Sequence, residues 1–517
     1  MVSQASLNPI IPGFAPDPSA IHVDGWFFVV TSSFHLFPGL PIYASQDLSS
    51  WKQIGNAIDR QSQLSLLKSR TRLSSPAPET GGRILPATGG LYAPTIRHHD
   101  GTFYIACTNA LREPDATTAK KENFIISTKS IWKGGWSDPV YFDFDGIDPG
   151  ITFDEGKVYI QGSAAPGPAT RINNFQIDLT TGKRLSEERT IWTGTGGVYP
   201  EGPHVFKWKG WYYLIIAEGG THVTHSVTAA RSKDIWGPYQ PAPNNPILTA
   251  HGTDEYIQHT GHCDVFQDAE GQWWAVCLAV RKNQERYVLS RETFLTPARW
   301  QGEWLQIEPV RSDVKNHAGA QLPSLTLSTA PELSHVYVRD AELNRYQFEE
   351  GGEVVTLKPS PVDLSSTDAS PTFVAKRQRT LQGKATAAVS QLDGAWSKVK
   401  LRFGLACYKD EHRFFRVYFD TADSSVVFEI VNVAQNLTRT TRRVLEDVKG
   451  LCFTIEYTEA EYRLLYTAGD GPRSTETLAR VDALEMTDPD FVGPIIGVFA
   501  VSNAKGAKVK FEAFSIQ

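Results

Sequence analysis

The sequence predicts an all-β chain: a five-bladed β-propeller followed by a β-sandwich. Three observations carry that expectation. A hairpin phrase occurs five times ahead of residue 305, the copies are spaced as four-stranded blades with loops would be, and the phrase is absent from the second half, where apolar–polar alternation continues.

Each copy is a short run, a turn ending in Gly, and an aromatic or β-branched run. The turns are Asp24-Gly25, Asp100-Gly101, Glu155-Gly156, Lys209-Gly210 and Glu270-Gly271. The runs after them begin Trp26-Phe27-Phe28, Thr102-Phe103-Tyr104, Lys157-Val158-Tyr159, Trp211-Tyr212-Tyr213 and Gln272-Trp273-Trp274. Asp-Gly between such runs is the strongest local hairpin signal. The glycines lie 76, 55, 54 and 61 residues apart. A sandwich built from common hairpins is the competing architecture.

A second phrase follows in most copies: Ser45-Gln46-Asp47-Leu48 to Trp51, Ser127-Thr128-Lys129-Ser130-Ile131-Trp132, and Arg231-Ser232-Lys233-Asp234-Ile235-Trp236. It reads as an outer strand and turn anchored by Trp. Past the fifth hairpin, a Trp-rich segment ends near Trp304, and 309–335 loosens into Ser, Pro, Asn and Gly as a linker would. From 336 to 517, runs such as Lys398-Val399-Lys400-Leu401-Arg402-Phe403, Phe414-Phe415-Arg416-Val417-Tyr418-Phe419 and Val426-Val427-Phe428-Glu429-Ile430 predict an antiparallel sandwich. The expected division is therefore 1–308, 309–335 and 336–517.

A chain of 517 residues fits two to four domains, and 41% hydrophobic residues suffice for ordinary cores. The 13 Trp, 18 Tyr and 26 Phe suit β-strands and also surfaces that stack on sugar rings. A net charge of −6 without a basic block argues against a nucleic-acid partner. No apolar run of about 18 residues predicts a membrane span. Met1-Val2-Ser3-Gln4 does not open a secretory signal, which leaves an intracellular protein or a mature secreted one, the latter preferred. Oligomeric state is open. Five scattered cysteines show neither metal spacing nor a disulfide framework. Cys263 and Cys277 bracket one hairpin and are placed to pair, with two buried thiols the preferred reading. The lone sequon Asn436-Leu437-Thr438 says little about secretion.

The chemistry emerges on counting back from each hairpin Gly. Eight residues before it stand Asp17, Ala93 and Asp148; nine before it stand Glu201 and His262. Equivalent repeat positions occupy equivalent places, so three carboxylates and a histidine are expected at one end of a central channel. Pro and Gly crowd all three acids: Ala15-Pro16-Asp17-Pro18, Ile147-Asp148-Pro149-Gly150 and Pro200-Glu201-Gly202-Pro203. Pro stiffens a strand entry, and carboxylates at the mouth of a closed β-structure are costly unless solvated, paired or used. Three acids in one pocket can divide glycoside cleavage. One carboxylate activates water, one carboxylic acid protonates the leaving oxygen, and a third raises the pKa of that acid. With base and acid about 6.5–9.5 Å apart, water fits and the anomeric configuration inverts.

Taken singly, each acid could simply begin a strand. His262 is either a structural histidine or a channel residue that touches substrate or, through water, a cation. His222 and His225 form a lone His-x-x-His that reads as a loop rather than a metal site. Thr193-Gly194-Thr195-Gly196-Gly197 resembles a phosphate loop only superficially, because no βα unit follows. No nucleophile elbow is present. A non-catalytic sugar-binding propeller would lack some of the three acids. A protein-interaction propeller would show near-identical blades instead of one acidic pocket.

At these residues the sequence resembles the family-43 glycoside hydrolases, five-bladed propellers that invert. The resemblance covers the first ~305 residues: Asn8-Pro9-Ile10, Gly13 to Ser19, Phe37-Pro38-Gly39, Ala93-Pro94-Thr95-Ile96-Arg97, Glu201-Gly202-Pro203-His204, Ala217-Glu218-Gly219-Gly220-Thr221-His222, Gly261-His262 and Arg291-Glu292-Thr293-Phe294-Leu295. The second half resembles the sandwich some members carry, at Ser370-Pro371-Thr372-Phe373-Val374 with Arg377-Gln378. The resemblance implies Asp17 as general base, Asp148 as pKa modulator and Glu201 as general acid. It implies Arg291 as a sugar ligand, Phe34 and Thr221 as wall, and His262 as the central histidine, often near calcium or a water cluster. No cofactor is required on this reading, and a structural Ca²⁺ near the axis is allowed. His35-Leu36 replaces the acidic-aromatic pair usual in β-xylosidases with this sandwich, Tyr92 stands where they carry Trp, and the segment before Arg291 is short, so the pocket wall is remodelled. The expected activity is removal of α-L-arabinofuranosyl groups from a plant cell-wall polysaccharide, arabinoxylan or its oligosaccharides. β-1,4-Xylosidase is the alternative, and a non-catalytic carbohydrate-binding propeller is a distant one.

Overall fold

The computed structural model describes residues 7–113, 118–315, 319, 322–390, 399–446, 448–469 and 475–517. Five antiparallel sheets follow one another along the first part of the chain. Their first strands are Ser19–Val23, Gly90–His99, Gly146–Asp154, Glu201–Trp208 and Ile257–Gln267. Each continues by a hairpin to a second strand and then outward to a third and a fourth.

Four of the five predicted turns are two-residue hairpins with both residues left-handed: Asp24 and Gly25, Asp100 and Gly101, Glu155 and Gly156, Lys209 and Gly210. That geometry matches the strand twist and favours Asp-Gly. The fifth copy differs. Gln267 pairs Trp273, leaving a five-residue loop, in which the Asp268 carboxylate accepts from the Glu270 and Gln272 backbone N–H at 3.1 and 2.8 Å.

The second phrase ends each third strand, but its anchor is not the tryptophan throughout. Trp51 is buried, whereas Trp132 is 47% exposed. The residue buried in all three copies is the aliphatic one, Leu48, Ile131 and Ile235. An indole can lie half out of a sheet edge at little loss, while a branched aliphatic side chain gains only by full burial.

The first strands pack in a closed cycle. Ser19–Val23 touches Gly90–His99 and Ile257–Gln267, Gly146–Asp154 touches Gly90–His99 and Glu201–Trp208, and Glu201–Trp208 touches Ile257–Gln267. Four of them meet through one polar cluster. Asp264 accepts from Ser19 Oγ at 2.6 Å and from Arg97 at 2.8 and 3.2 Å. Arg97 also reaches His204 Nδ1 at 3.2 Å.

The second part is two facing antiparallel sheets of seven and six strands. Their inward residues, among them Phe403, Phe415, Phe453, Tyr462 and Phe511, form the core. Residues 322–335, at the end of the segment expected as a linker, contain a strand and a short helix. Thr326–Thr329 adds a parallel strand beside Ser50–Ile58, and Tyr337–Val338 pairs with Leu36–Phe37. Backbone groups along an open sheet edge need partners, and the connecting chain supplies them. The two parts share one apolar cluster, with Phe14, Phe34 and Tyr92 on one side and Phe373, Tyr408 and Phe499 on the other. No helix among the described residues is long and apolar enough to cross a membrane.

Candidate active site

The site is built from one backbone device used five times. Asp17, Ala93, Asp148, Gly202 and His262 all have left-handed φ, at 52, 37, 55, 60 and 48°. In the second to fifth sheets the strand register shifts there, as a bulge does. Non-glycine residues seldom adopt this conformation, and a bulge re-aims its side chain out of the sheet. The device refines the expected equivalence. In the fourth unit the bulge residue is Gly202, and Glu201 precedes it. Glycine is needed at 202, since a Cβ there would lie 2.8 Å from the His262 ring.

Neighbouring bulges serve one another. The Gly202 N–H donates to Asp148 Oδ2 at 3.1 Å. The Ala93 N–H donates to Ser32 Oγ at 2.7 Å, and that hydroxyl donates to Asp17 Oδ2 at 2.6 Å. Arg291 Nη1 donates to Asp17 Oδ1 and to Thr221 Oγ1, each at 3.0 Å. His262 Nδ1 lies 4.0 Å from Asp17 Oδ1.

All eight residues singled out in the sequence line one cavity of about 430 Å³: Asp17, Phe34, Tyr92, Asp148, Glu201, Thr221, His262 and Arg291. The Phe34 ring packs on Tyr92, with centroids 4.8 Å apart, and Arg291 lies over Phe34 at 5.4 Å. Tyr92 Oη donates to Thr88 O at 2.5 Å and accepts from Arg112 at 3.1 Å, so the hydroxyl end of the ring is held by two bonds.

The acids differ in surroundings. Burial pushes Glu201 well above the ordinary carboxyl range, and the charges of Asp148 and Asp17 push it further. Burial also raises Asp148, to about 6; His262 opposes the rise, Asp17 adds to it, and the Gly202 N–H and Arg291 oppose it. Glu201 thus favours its protonated form, while Asp17 faces a hydroxyl and a guanidinium. A proton donor and a donor-bound carboxylate in one cavity are what general acid–base cleavage needs.

Sequence reasoning missed Phe491, Ser32 and the histidine pair. Phe491 comes from the sandwich; its ring lies 5.8 Å from Phe34, and its carbonyl accepts from Arg291 Nη2 at 2.8 Å. Nothing local marks it, because its half of the chain has no repeat. His222 and His225, expected in a plain loop, are buried and line the cavity. Burial lowers His222 well below its usual range and lowers His225 to about 3, so both are neutral at pH 7. The Thr193–Gly197 loop is occupied from within, with the Thr195 and Gly197 N–H donating to Glu218 Oε1 at 3.0 and 3.3 Å. The five cysteines, Cys263 and Cys277 included, are free thiols. Among the described residues no three His, Cys, Asp or Glu side chains are grouped to hold a metal ion directly.

Comparison with known proteins agrees with this geometry. Residues 6–305 match the model of glycosyl hydrolases family 43, and residues 329–517 match a β-xylosidase C-terminal concanavalin A-like domain. The chain is 31% identical to the non-reducing end α-L-arabinofuranosidase BoGH43B of Bacteroides ovatus, over 96% of this chain and 92% of that protein. It is 29% identical to a xylosidase/arabinosidase of Butyrivibrio fibrisolvens, over 96% of each. A solved structure described as Bacteroides ovatus xyloglucan PUL GH43B superposes with a TM-score of 0.83 at 30% identity, over 99% of this chain and 100% of that one. The GH43 BlXynB protein of Bacillus licheniformis gives 0.80 at 27%, over 99% and 100%. An acid pair held in one cavity by repeated bulges, on a chain whose two halves both match, is that of a glycoside hydrolase, and the chain belongs to glycosyl hydrolases family 43.

Proposed function

We propose that the chain is an inverting, exo-acting α-L-arabinofuranosidase that removes arabinofuranosyl side groups from arabinoxylan or its oligosaccharides. The five sheets are read as the blades of a propeller spanning 1–308, joined through 309–335 to the sandwich at 336–517. Asp17 is the general base, Glu201 the general acid, and Asp148 the pKa modulator that adds to desolvation in raising Glu201. Arg291, Thr221 and His262 face the sugar hydroxyls, with Phe34 and Tyr92 as the apolar wall. The observation that carries this reading is the opposed environment of two acids in one cavity: Asp17 has two donors, whereas the part-exposed Glu201 has desolvation and two negative neighbours. On this reading no ion is required, since Arg97 already supplies a positive charge among the first strands.

β-1,4-Xylosidase is the second reading. It is favoured by the match of the second half to a β-xylosidase domain and by relatives named β-xylosidase. Parallel assays on p-nitrophenyl α-L-arabinofuranoside and β-D-xyloside decide between them. Higher kcat/KM on the arabinoside is expected, and equal or higher xyloside turnover would reverse the ranking. Arabinoxylan and arabinosylated xyloglucan serve as polymer arms, and proton NMR of the first-formed anomer tests inversion.

A further inference from the structure

Arg291 is held by three acceptors: Asp17 Oδ1 and Thr221 Oγ1 in the propeller-side wall, and the Phe491 carbonyl of the sandwich. Its Nε is buried without an acceptor among the described residues, so those three bonds set the guanidinium plane. The sandwich loop that presents Phe491 is itself fixed one residue earlier. Asp490 Oδ2 accepts from Lys409 Nζ at 2.7 Å and from Arg413 Nη1 at 2.5 Å. Its other oxygen accepts from Ser290 Oγ, the residue before Arg291, at 2.8 Å. Two segments 200 residues apart are thus joined twice, 290 to 490 and 291 to 491. Asp490, Lys409, Arg413 and Ser290 are all buried. Arg413 is shared with Asp410 and Asp488, so that three carboxylates face two cations. A buried ion cluster is a weak source of stability compared with well-packed apolar groups, but it fixes geometry because each member tolerates few arrangements.

We propose that Asp490 is a positioning residue for the sugar pocket: anchored by Lys409 and Arg413, its carboxylate staples Ser290 and so holds Arg291 against Asp17, Thr221 and the Phe491 carbonyl. The proposal deepens the reading of Arg291 as a sugar ligand and rests on it. Ser290→Ala removes the donor of the staple and leaves both cations on Asp490. It is expected to raise KM about three- to ten-fold on the nitrophenyl glycoside that the wild-type enzyme hydrolyses, with kcat changed by less than about two-fold, the signature of lost uniform binding. Its unfolding midpoint falls modestly, as the loss of one buried hydrogen bond requires. Asp490→Asn raises KM at least as much, and the double variant is no worse than Asp490→Asn alone, because both changes break one bond. A wild-type KM in Ser290→Ala, or additive effects in the double variant, would overturn the proposal. If Asp490→Asn does not fold, the KM of Ser290→Ala decides. A wild-type enzyme inert on both glycosides would overturn the activity instead, and the staple is then read from the Kd of L-arabinose and D-xylose.

Discussion

Burial raises Asp148 from 3.8 to about 6, and this shift has a stability consequence with a definite sign. Between those pH values the folded chain keeps a proton on Asp148 that the unfolded chain has lost. Stability from this group therefore falls as pH rises through that window and levels off above about 6. At pH 7 the cost is on the order of 2–3 kcal/mol. Asp148→Asn keeps the shape and removes the charge, so it is expected to melt at a higher temperature than wild type at pH 7, with the gain shrinking to nothing near pH 4. Its turnover falls at least about a hundred-fold as Glu201 loses a neighbour that favours its protonated form. Thermal melts from pH 4 to 8 check the first part, and a lower midpoint at pH 7 would contradict it. Glu201→Gln is expected to lose about 10³-fold in turnover on xylan-linked arabinose and far less on a dinitrophenyl glycoside, which needs no proton to leave. An equal loss on both would deny Glu201 its role as acid.

The bulge at each first strand is the element on which the site depends. Counting back eight residues from the hairpin Gly reaches it in four copies and drifts by one residue only in the fifth. In the fourth the bulge falls on Gly202, and in the fifth the turn is a five-residue loop. A Pro follows the bulge in the same four copies, at Asp17-Pro18, Ala93-Pro94, Asp148-Pro149 and Gly202-Pro203. Gly202→Ala would place a Cβ against the His262 ring at a left-handed φ. The expected cost is about 1–3 kcal/mol in stability, together with a fall in kcat as Glu201 and His262 are displaced. Urea unfolding and steady-state kinetics test the pair, and a variant wild-type in both would show that the contact relaxes freely.

At the scale of the molecule, the sandwich completes the pocket rather than trailing it. Phe491 closes on Phe34 and Arg291. Arg339 and Glu411, both buried, pair at 2.9 Å, and Glu411 Oε1 accepts from the Thr71 N–H at 2.7 Å, tying the sandwich to the sheets. A chain ending at residue 330 exposes that apolar cluster and leaves Arg291 without its carbonyl partner. It is expected to aggregate or to lose at least about a hundred-fold in kcat/KM, and adding the separately made sandwich restores activity only if the interface reforms. A soluble fragment with full activity would refute the dependence.

The sequence by itself determined the five hairpins, the sandwich alternation and the repeat positions Asp17, Asp148, Glu201 and His262, while Phe34, Tyr92, Thr221 and Arg291 came from the family resemblance. These are local signals: turn chemistry fixes φ at adjacent residues, and periodicity fixes which face is apolar. Only the tertiary structure decided which acid lacks hydrogen-bond donors among the described residues, that His222 and His225 line the pocket, and that Asp490 and Phe491 meet Ser290 and Arg291. Those outcomes depend on burial and on contacts between segments hundreds of residues apart, and chain order does not encode a distance until the first strands close their cycle and the sandwich docks against it.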